Sequence, residues 1–218
     1  MEQIKLLTPE QSLIIKHITT DDFLRSHFYF TGGTALSSVY LQHRDSEDLD
    51  FFSENAFNSE VVFDKLTQWS DHDKFGIDLR TIENINVFQL TFPKNVPLKV
   101  DFVYYRHKRI EAGQIIDGLQ IDSLFDIAIN KLLTTNQRTQ VKDFVDLYFL
   151  LQTFSIWDLM EGVRVKFKVK LDPYIIASDF FKIETFDTLP RMIKPLSLEE
   201  LRAFFQETAK DLARKSVE

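Results

Sequence analysis

The chain has no cysteine among its 218 residues, which excludes a disulfide framework and every thiolate metal site. A bound metal ion would have only oxygen and imidazole donors, and clustered aspartates favour hard cations such as magnesium or manganese. Long apolar runs are lacking too: none approaches the roughly 18 residues that a membrane-spanning helix needs. The opening MEQIKLLTPEQ has neither the basic start nor the apolar stretch of a secretory signal, so the expected compartment is the cytoplasm, with no membrane partner. Basic charge is in deficit, with 26 Lys and Arg against 33 Asp and Glu, a net charge of -7 and a pI near 5.3. That balance argues against capture of nucleic acid by the overall field. Two local exceptions, Arg106-His107-Lys108-Arg109 and the alternating Arg164, Lys166, Lys168 and Lys170, read either as solvated faces or as contacts to a polyanion. Glycine is scarce, six in all, and two of the six stand side by side at Gly32-Gly33.

Apolar residues are plentiful. They make up 44% of the chain and include 21 Phe, ample for a folded core; Phe180-Phe181 and Phe204-Phe205 read as helix packing rather than base-stacking platforms. The length suits one large domain, or a catalytic domain of about 100 to 150 residues with a helical extension. Thr8-Pro9-Glu10-Gln11 combines an N-cap, a first-turn proline and a capping-box glutamine, predicting a helix over 9–25. HFYF predicts a short strand entering the Gly-Gly turn, and Thr34 to Leu41 has helical spacing. DLDFF predicts a buried strand, and Asn58-Ser59 caps a helix through Trp69. GIDLRTI, NVFQLTF and LKVDFVYY, separated by turns at Glu83-Asn84 and Pro93-Lys94-Asn95, predict three consecutive antiparallel strands. From Asp122 onward the pattern is helical, ending in SLEELRAFFQETAKDLARKS with Ser197 as cap and Glu200 at the capping-box position. The expectation is α+β, with residues 1–120 forming an α/β core and 121–218 an all-helical region packed on it.

Chemistry concentrates in TGGTALSSVYLQHRDSEDLDFF, residues 31–52. Asp48 and Asp50 are two apart on a strand, so both project to one face. Asp101 interrupts the apolar strand LKVDFVYY, where an unpaired carboxylate is costly. If the two strands are neighbours, three carboxylates converge and make a site for one or two divalent ions suited to phosphoryl or nucleotidyl transfer. The Gly32-Gly33-Thr34 turn opens a helix and reads either as a plain turn or as a phosphate site of the kind helix N-termini form; the GK[ST] of a Walker loop is missing, and the Asp-x-Asp on the next strand favours the phosphate reading. Arg44 either binds phosphate or neutralises Asp45 and Glu47. His43 is given no role as a base, and Asp45 and Ser46 read as turn residues. Asp143 and Asp146 are neighbours on a helix, with Lys142 four residues before Asp146; they form either a surface salt bridge or a network that orients Lys131.

The order Gly-Gly-Thr, helix, Asp-x-Asp on a strand and a later strand aspartate resembles the DNA polymerase β-type nucleotidyltransferase superfamily. The fuller string GGTALSSVYLQHRDSEDLDFF, with INKLLTTNQRTQVKDFVDLYFLL, resembles the AbiEii/AbiGii toxin family within it. The resemblance spans roughly residues 30–151. It implies a nucleotidyltransferase-type mixed sheet with flanking helices and a magnesium-dependent enzyme that transfers a nucleoside monophosphate from an NTP. In several relatives the acceptor is RNA such as tRNA, and the enzyme is the toxin of a toxin-antitoxin or phage-defence pair. Position by position it implies Gly33 and Thr34 at the triphosphate, with Gly32 of the same turn a further candidate for binding it, Asp48, Asp50 and Asp101 as metal ligands, and Asp101 also as acceptor of the attacking hydroxyl's proton. Lys131 is implied at the triphosphate and Asp143 as the aspartate of an Arg-Asp or Lys-Asp motif. Lys142 stands for the more usual arginine, which keeps the charge and loses the bidentate fork. The leading expectation is therefore transfer to an RNA 3′ end, with a cognate antitoxin as partner. The alternatives are a small-molecule or protein acceptor, and a non-catalytic nucleotide-binding module.

Overall fold

The computed structural model describes residues 4–93 and 97–215, and the chain divides into two compact units. The first runs to Tyr40 and takes up Ser46–Lys108 and Ala112–Ser123; the second takes Leu41–Asp45, Arg109–Glu111 and the chain from Leu124 onward. The expected turn residues Lys94 and Asn95, and Ser216 at the end of the last helix, lie outside the described residues.

In the first unit the elements are α1 (Pro9–Thr20), α2 (Asp22–His27), β1 (Tyr29–Thr31), α3 (Gly32–Ala35), β2 (Leu49–Ser53), α4 (Ser59–Asp73), β3 (Gly76–Ile82), β4 (Ile85–Thr91), β5 (Leu98–Tyr104), β6 (Ile115–Ile116) and β7 (Leu119–Ile121). Among the described residues the strands form one mixed sheet in the order β3-β4-β5-β2-β1-β7-β6. β3, β4 and β5 are antiparallel, as their sequence predicts, and β2 lies parallel to β5 and antiparallel to β1.

The capping box at Thr8 forms as expected, with Gln11 N donating to Thr8 Oγ1 at 3.2 Å and Thr8 N to Gln11 Oε1 at 2.9 Å. The single helix expected over 9–25 breaks instead at Asp21, whose backbone is extended and whose carboxylate caps Leu24 N at 2.9 Å, starting α2. A short polar side chain that can cap competes with helix continuation, and here it wins. The β6-β7 hairpin is absent from the sequence-based expectation. Its signal is Asp117-Gly118 between Ile115-Ile116 and Leu119-Gln120-Ile121, both turn residues at positive φ (50° and 81°), the requirement of a tight two-residue hairpin.

Period two along the central strands sorts their residues onto two faces. Phe30, Phe51 and Phe102 are in register across β1, β2 and β5, fully buried, with ring centroids 5.4 and 5.3 Å apart. One residue earlier on β2 and β5 the register pairs Asp50 with Asp101, with Thr31 of β1 opposite Asp50. The aromatic row anchors the strands, and the same alternation turns the acids to the opposite face.

The second unit contains α5 (Leu124–Gln137), α6 (Val141–Leu150), α7 (Ile156–Phe167), α8 (Pro173–Phe180), a 3-10 turn at Phe181–Thr185, and α9 (Leu198–Lys215). The capping box at the start of α9 forms, with Ser197 N donating to Glu200 Oε2 at 2.7 Å and Glu200 N to Ser197 Oγ at 3.1 Å. Phe144, Phe180 and Phe205 are buried, with Phe205 edge-on to the other two at centroid distances of 5.2 and 4.9 Å. Phe181 departs from the core reading: it follows the end of α8 and is half exposed. The basic alternation after Arg164 is no continuous charged face, because α7 extends through Phe167 and turns Lys166 inward onto Asp126 at 2.7 Å. Asp126 also accepts from Ile110 N and Glu111 N at 3.0 Å, which binds residues 109–111 into the helical unit. Among the described residues no helix is long and apolar enough to cross a membrane.

Candidate active site

The acidic site of the first unit is assembled from two parallel strands and the loop that precedes one of them. That loop is clamped twice. Gln11, buried in α1, donates through Nε2 to the carbonyls of Ser46 at 2.9 Å and Glu47 at 3.0 Å. Thr34, also buried, bonds through its hydroxyl to the Asp48 carbonyl and lies 2.8 Å from Ser46 Oγ. Thr34 thus fixes the backbone that presents Asp48, a task its sequence position alone does not reveal.

The Gly-Gly turn has a direct steric reason. Gly32 takes φ +76°, and a Cβ built on it would collide with Asp50 Oδ2. Asp50 can occupy its position only because residue 32 has no side chain. Thr31, one residue before, is held by its hydroxyl on the buried Asp122 carboxylate at 2.7 Å, and Tyr40 donates to the Asp122 carbonyl at 2.7 Å. After the short α3 the chain enters a π-helical stretch, Leu36–Leu41, a widened turn of the kind often found at functional sites. Gly32→Ala is therefore expected to be disruptive. Left-handed backbone costs a non-glycine residue roughly 1–2 kcal/mol, and displacement of Asp50 adds to that. A thermal melt of the variant should show a clear drop, and a melt equal to wild type would refute the close approach.

Asp48, Asp50 and Asp101 lie together with a residue that sequence reasoning passes over, Lys99. Its ammonium is 2.8 Å from Asp101 Oδ2 and 3.6 Å from Asp48 Oδ2. The pattern Lys-Val-Asp on a strand puts residues i and i+2 on one face, so the signal is present in LKVDFVYY. Burial pushes the Asp101 carboxyl above its usual range, helped by the Asp48 charge, although Lys99 pulls the other way. Burial disfavours the Lys99 ammonium, but its bond to Asp101 and the charges of Asp101, Asp48 and Asp50 outweigh that and hold it above the usual lysine range.

The donor chemistry of this cluster suits a divalent ion. All three candidate donors are carboxylates, and Asp101 Oδ1 is buried without a hydrogen-bond partner, a state that an adjacent cation relieves. Among the described residues no three acidic or histidine side chains are already converged for coordination. Lys99, bridging Asp48 and Asp101, is what stands among them.

The second unit holds a buried ionic cluster of its own. Asp146, fully buried, accepts Arg44 Nε at 2.7 Å on Oδ1 and Nη2 at 2.8 Å on Oδ2, together with His43 Nε2 at 2.7 Å and Lys131 Nζ at 2.6 Å. Lys131 also donates to Asp143 at 3.0 Å, and Asp143 takes Arg138 Nε at 2.8 Å. The surface salt-bridge reading of Asp143 and Asp146 is overturned, because both carboxylates are fully buried and together hold Lys131 from two sides. For Arg44, the fork goes to Asp146 rather than to the carboxylates of Asp45 and Glu47; its Nη1 donates to the Asp45 carbonyl at 2.8 Å. Asp45 instead lies 3.2 Å from Arg191 Nε. His43 is fully buried, edge-on to Phe149, with Nδ1 lacking a partner. Its part is to support Asp146. Sequence spacing does not reveal His43 and Arg44 as members of this cluster, since their partner stands 103 and 102 residues further along the chain; Arg138 is likewise missed.

Charge explains the protonation states. Burial alone would raise the Asp146 carboxyl, but Lys131 and Arg44, with the bonds from His43 and Arg44, hold it far below the usual carboxylate range. Burial also opposes ionisation of Asp143, and Lys131 with Arg138 prevails over it. Burial works against the Lys131 ammonium as well, yet the two aspartates raise it above the usual lysine value. For His43 burial is the stronger influence and keeps the ring below its usual value and neutral.

The chain matches known proteins over most of its length. The profile of the nucleotidyl transferase AbiEii toxin family, a type IV toxin-antitoxin system, matches residues 14–217. The chain is 31% identical over 196 residues to the uncharacterized protein aq_aa25 of Aquifex aeolicus, covering 84% of this chain and 87% of that one. Its fold is similar to that of JHP933 from Helicobacter pylori, at 22% identity and a TM-score of 0.59, over 96% of this chain and 94% of that one. It is also similar to MenT4, a nucleotidyltransferase toxin of Mycobacterium tuberculosis, at 14% identity and a TM-score of 0.54, over 92% and 82% of the two chains.

Proposed function

Since the chain belongs to the nucleotidyl transferase AbiEii toxin family, and is thereby a nucleotidyltransferase, we propose that it moves a nucleoside monophosphate from an NTP onto the 3′ end of an RNA, a tRNA above all, and that a cognate antitoxin is its partner. Magnesium or manganese would be held by Asp48, Asp50 and Asp101. Such ions, when bound, neutralise the triphosphate and stabilise charge on the attacking and leaving oxygens.

The observation that carries this reading is the register of Asp50 against Asp101 on parallel strands, with Asp48 two residues before Asp50. Asp101, in register beside Asp50, is assigned to take the proton of the attacking hydroxyl on the strength of the family motif it matches. Gly33 and Thr34 are assigned to the triphosphate on the strength of the family motif they match, Gly32 makes room for Asp50 in the same turn, and Thr34 also holds the loop that aims Asp48. Lys131 is assigned to the triphosphate on the strength of the family motif it matches; Asp143 and Asp146 fix its ammonium, and Arg44 supports Asp146 in turn. Positioning and charge stabilisation then supply most of the rate, as phosphoryl chemistry asks little covalent help of a protein.

The test is incubation of the purified protein with each α-labelled NTP, magnesium and total cellular RNA. Label on a discrete RNA band is the expected result and identifies the nucleotide. Label on a protein or a small cationic molecule instead would replace the acceptor, a reading that the net charge of -7 makes worth including in the assay. NTP binding without transfer to any acceptor would leave a nucleotide-binding module.

A further inference from the structure

A lysine among carboxylates assigned to metal needs a physical reason to be there. Lys99 is on β5 two residues before Asp101, so its side chain shares the face of the acids. Its ammonium touches carboxylates from two segments, Asp101 of β5 and Asp48 just before β2, at 2.8 and 3.6 Å. The side chain is about one-third exposed, as is that of Asp48 (35% and 36%), whereas Asp101 is nearly buried at 13%. The lysine therefore reaches in from the open side of the cluster, and a flexible four-carbon stem lets its head swing back toward solvent.

We infer that Lys99 is a built-in counter-ion, which bridges Asp48 and Asp101 while the site is without metal and yields those carboxylates when a divalent cation binds. Three like charges on neighbouring strand positions repel one another, and an ammonium between them relieves the repulsion without closing the site. A divalent ion at the same carboxylates meets that ammonium as a competitor of like sign, so the lysine both stabilises the metal-free fold and weakens metal binding. The inference rests on the metal-binding reading of Asp48, Asp50 and Asp101.

The test compares wild type with Lys99→Met, using manganese alone, by calorimetric titration and thermal melts. The variant is expected to bind Mn2+ about tenfold more tightly or better, as the loss of an adjacent like charge implies. It should also melt lower than wild type without metal, and gain more than wild type when Mn2+ is added. If Lys99→Met does not fold, judged by far-UV circular dichroism, Lys99→Gln carries the same comparison. Binding by the variant but not by wild type would support the inference in its strongest form. Equal or weaker binding by a folded variant overturns the inference and leaves the metal reading standing. Binding by neither protein overturns both.

Discussion

Asp50→Asn is expected to abolish nucleotidyl transfer, by at least about a thousandfold, or roughly 4 kcal/mol of transition-state stabilisation, while leaving the fold intact. Asparagine has nearly the size and shape of aspartate, so it still fits against Gly32, where any added Cβ would collide with residue 50. The lost charge is the centre of the set: Asp50 is paired in register with Asp101 on β5 and stands two residues after Asp48. The same change relieves repulsion among the three acids in the metal-free protein, so the melting temperature should hold or rise. Activity and stability thus move in different directions, which separates loss of chemistry from loss of structure. Label transfer from an α-labelled NTP and a thermal melt on the same preparation decide the matter. Activity within about tenfold of wild type would mean that the reaction is not centred on these strands.

Asp146→Asn is expected to act through stability. The substitution leaves Lys131 and Arg44 buried, with a neutral amide where a carboxylate accepted both, at 2.6 and 2.7 Å. Breaking a buried ion pair by removing one partner costs roughly 3–5 kcal/mol, and in a protein of this size that lowers the melting temperature by roughly 6–20 °C. Acid should report the same cluster. Asp146 ionises far below the range of an unfolded chain and Asp143 below it, so their stabilisation is fully present above the unfolded value of about 3.9 and is lost as pH falls below it toward their folded values. His43 works in the same sense, because its lowered value makes the unfolded chain take up the proton first as pH drops below about 6.5. Wild type should accordingly lose stability on acidification, and the Asp146→Asn melt should depend less on pH below about 5. A melt of the variant matching wild type at neutral pH would remove Asp146 from its place as the hub.

How much of this is legible in the sequence differs from one residue to the next. Local rules find what local physics governs. The Thr8 and Ser197 capping boxes need only residues three apart, and the three antiparallel strands are marked by alternation and turns. Asp48 and Asp50 share a face by period alone, and the costs of a Gly-Gly turn and of an acid within an apolar strand point to Gly32 and Asp101. The Asp21 break and the β6-β7 hairpin are within reach of the same rules, since a capping aspartate and an Asp-Gly turn are local signals. Lys99 is also written plainly, two residues before Asp101, and escapes notice because an exposed lysine on a strand is ordinary.

Long-range pairing is different in kind. No spacing in the chain says that β2 and β5 are parallel neighbours in a register that sets Asp50 beside Asp101, because that register is fixed by the packing of Phe30, Phe51 and Phe102 on the other face. Nor does any local rule connect His43 and Arg44 to Asp146. A buried arginine and a buried histidine take whichever carboxylate the fold brings to them, since the cost of burying charge unpaired exceeds any local preference. The sequence by itself determined the elements, the faces and the residue types that a nucleotidyltransferase needs. Only the tertiary structure decided which charges meet, because ion pairing among buried groups is settled by the strands and helices that carry them together.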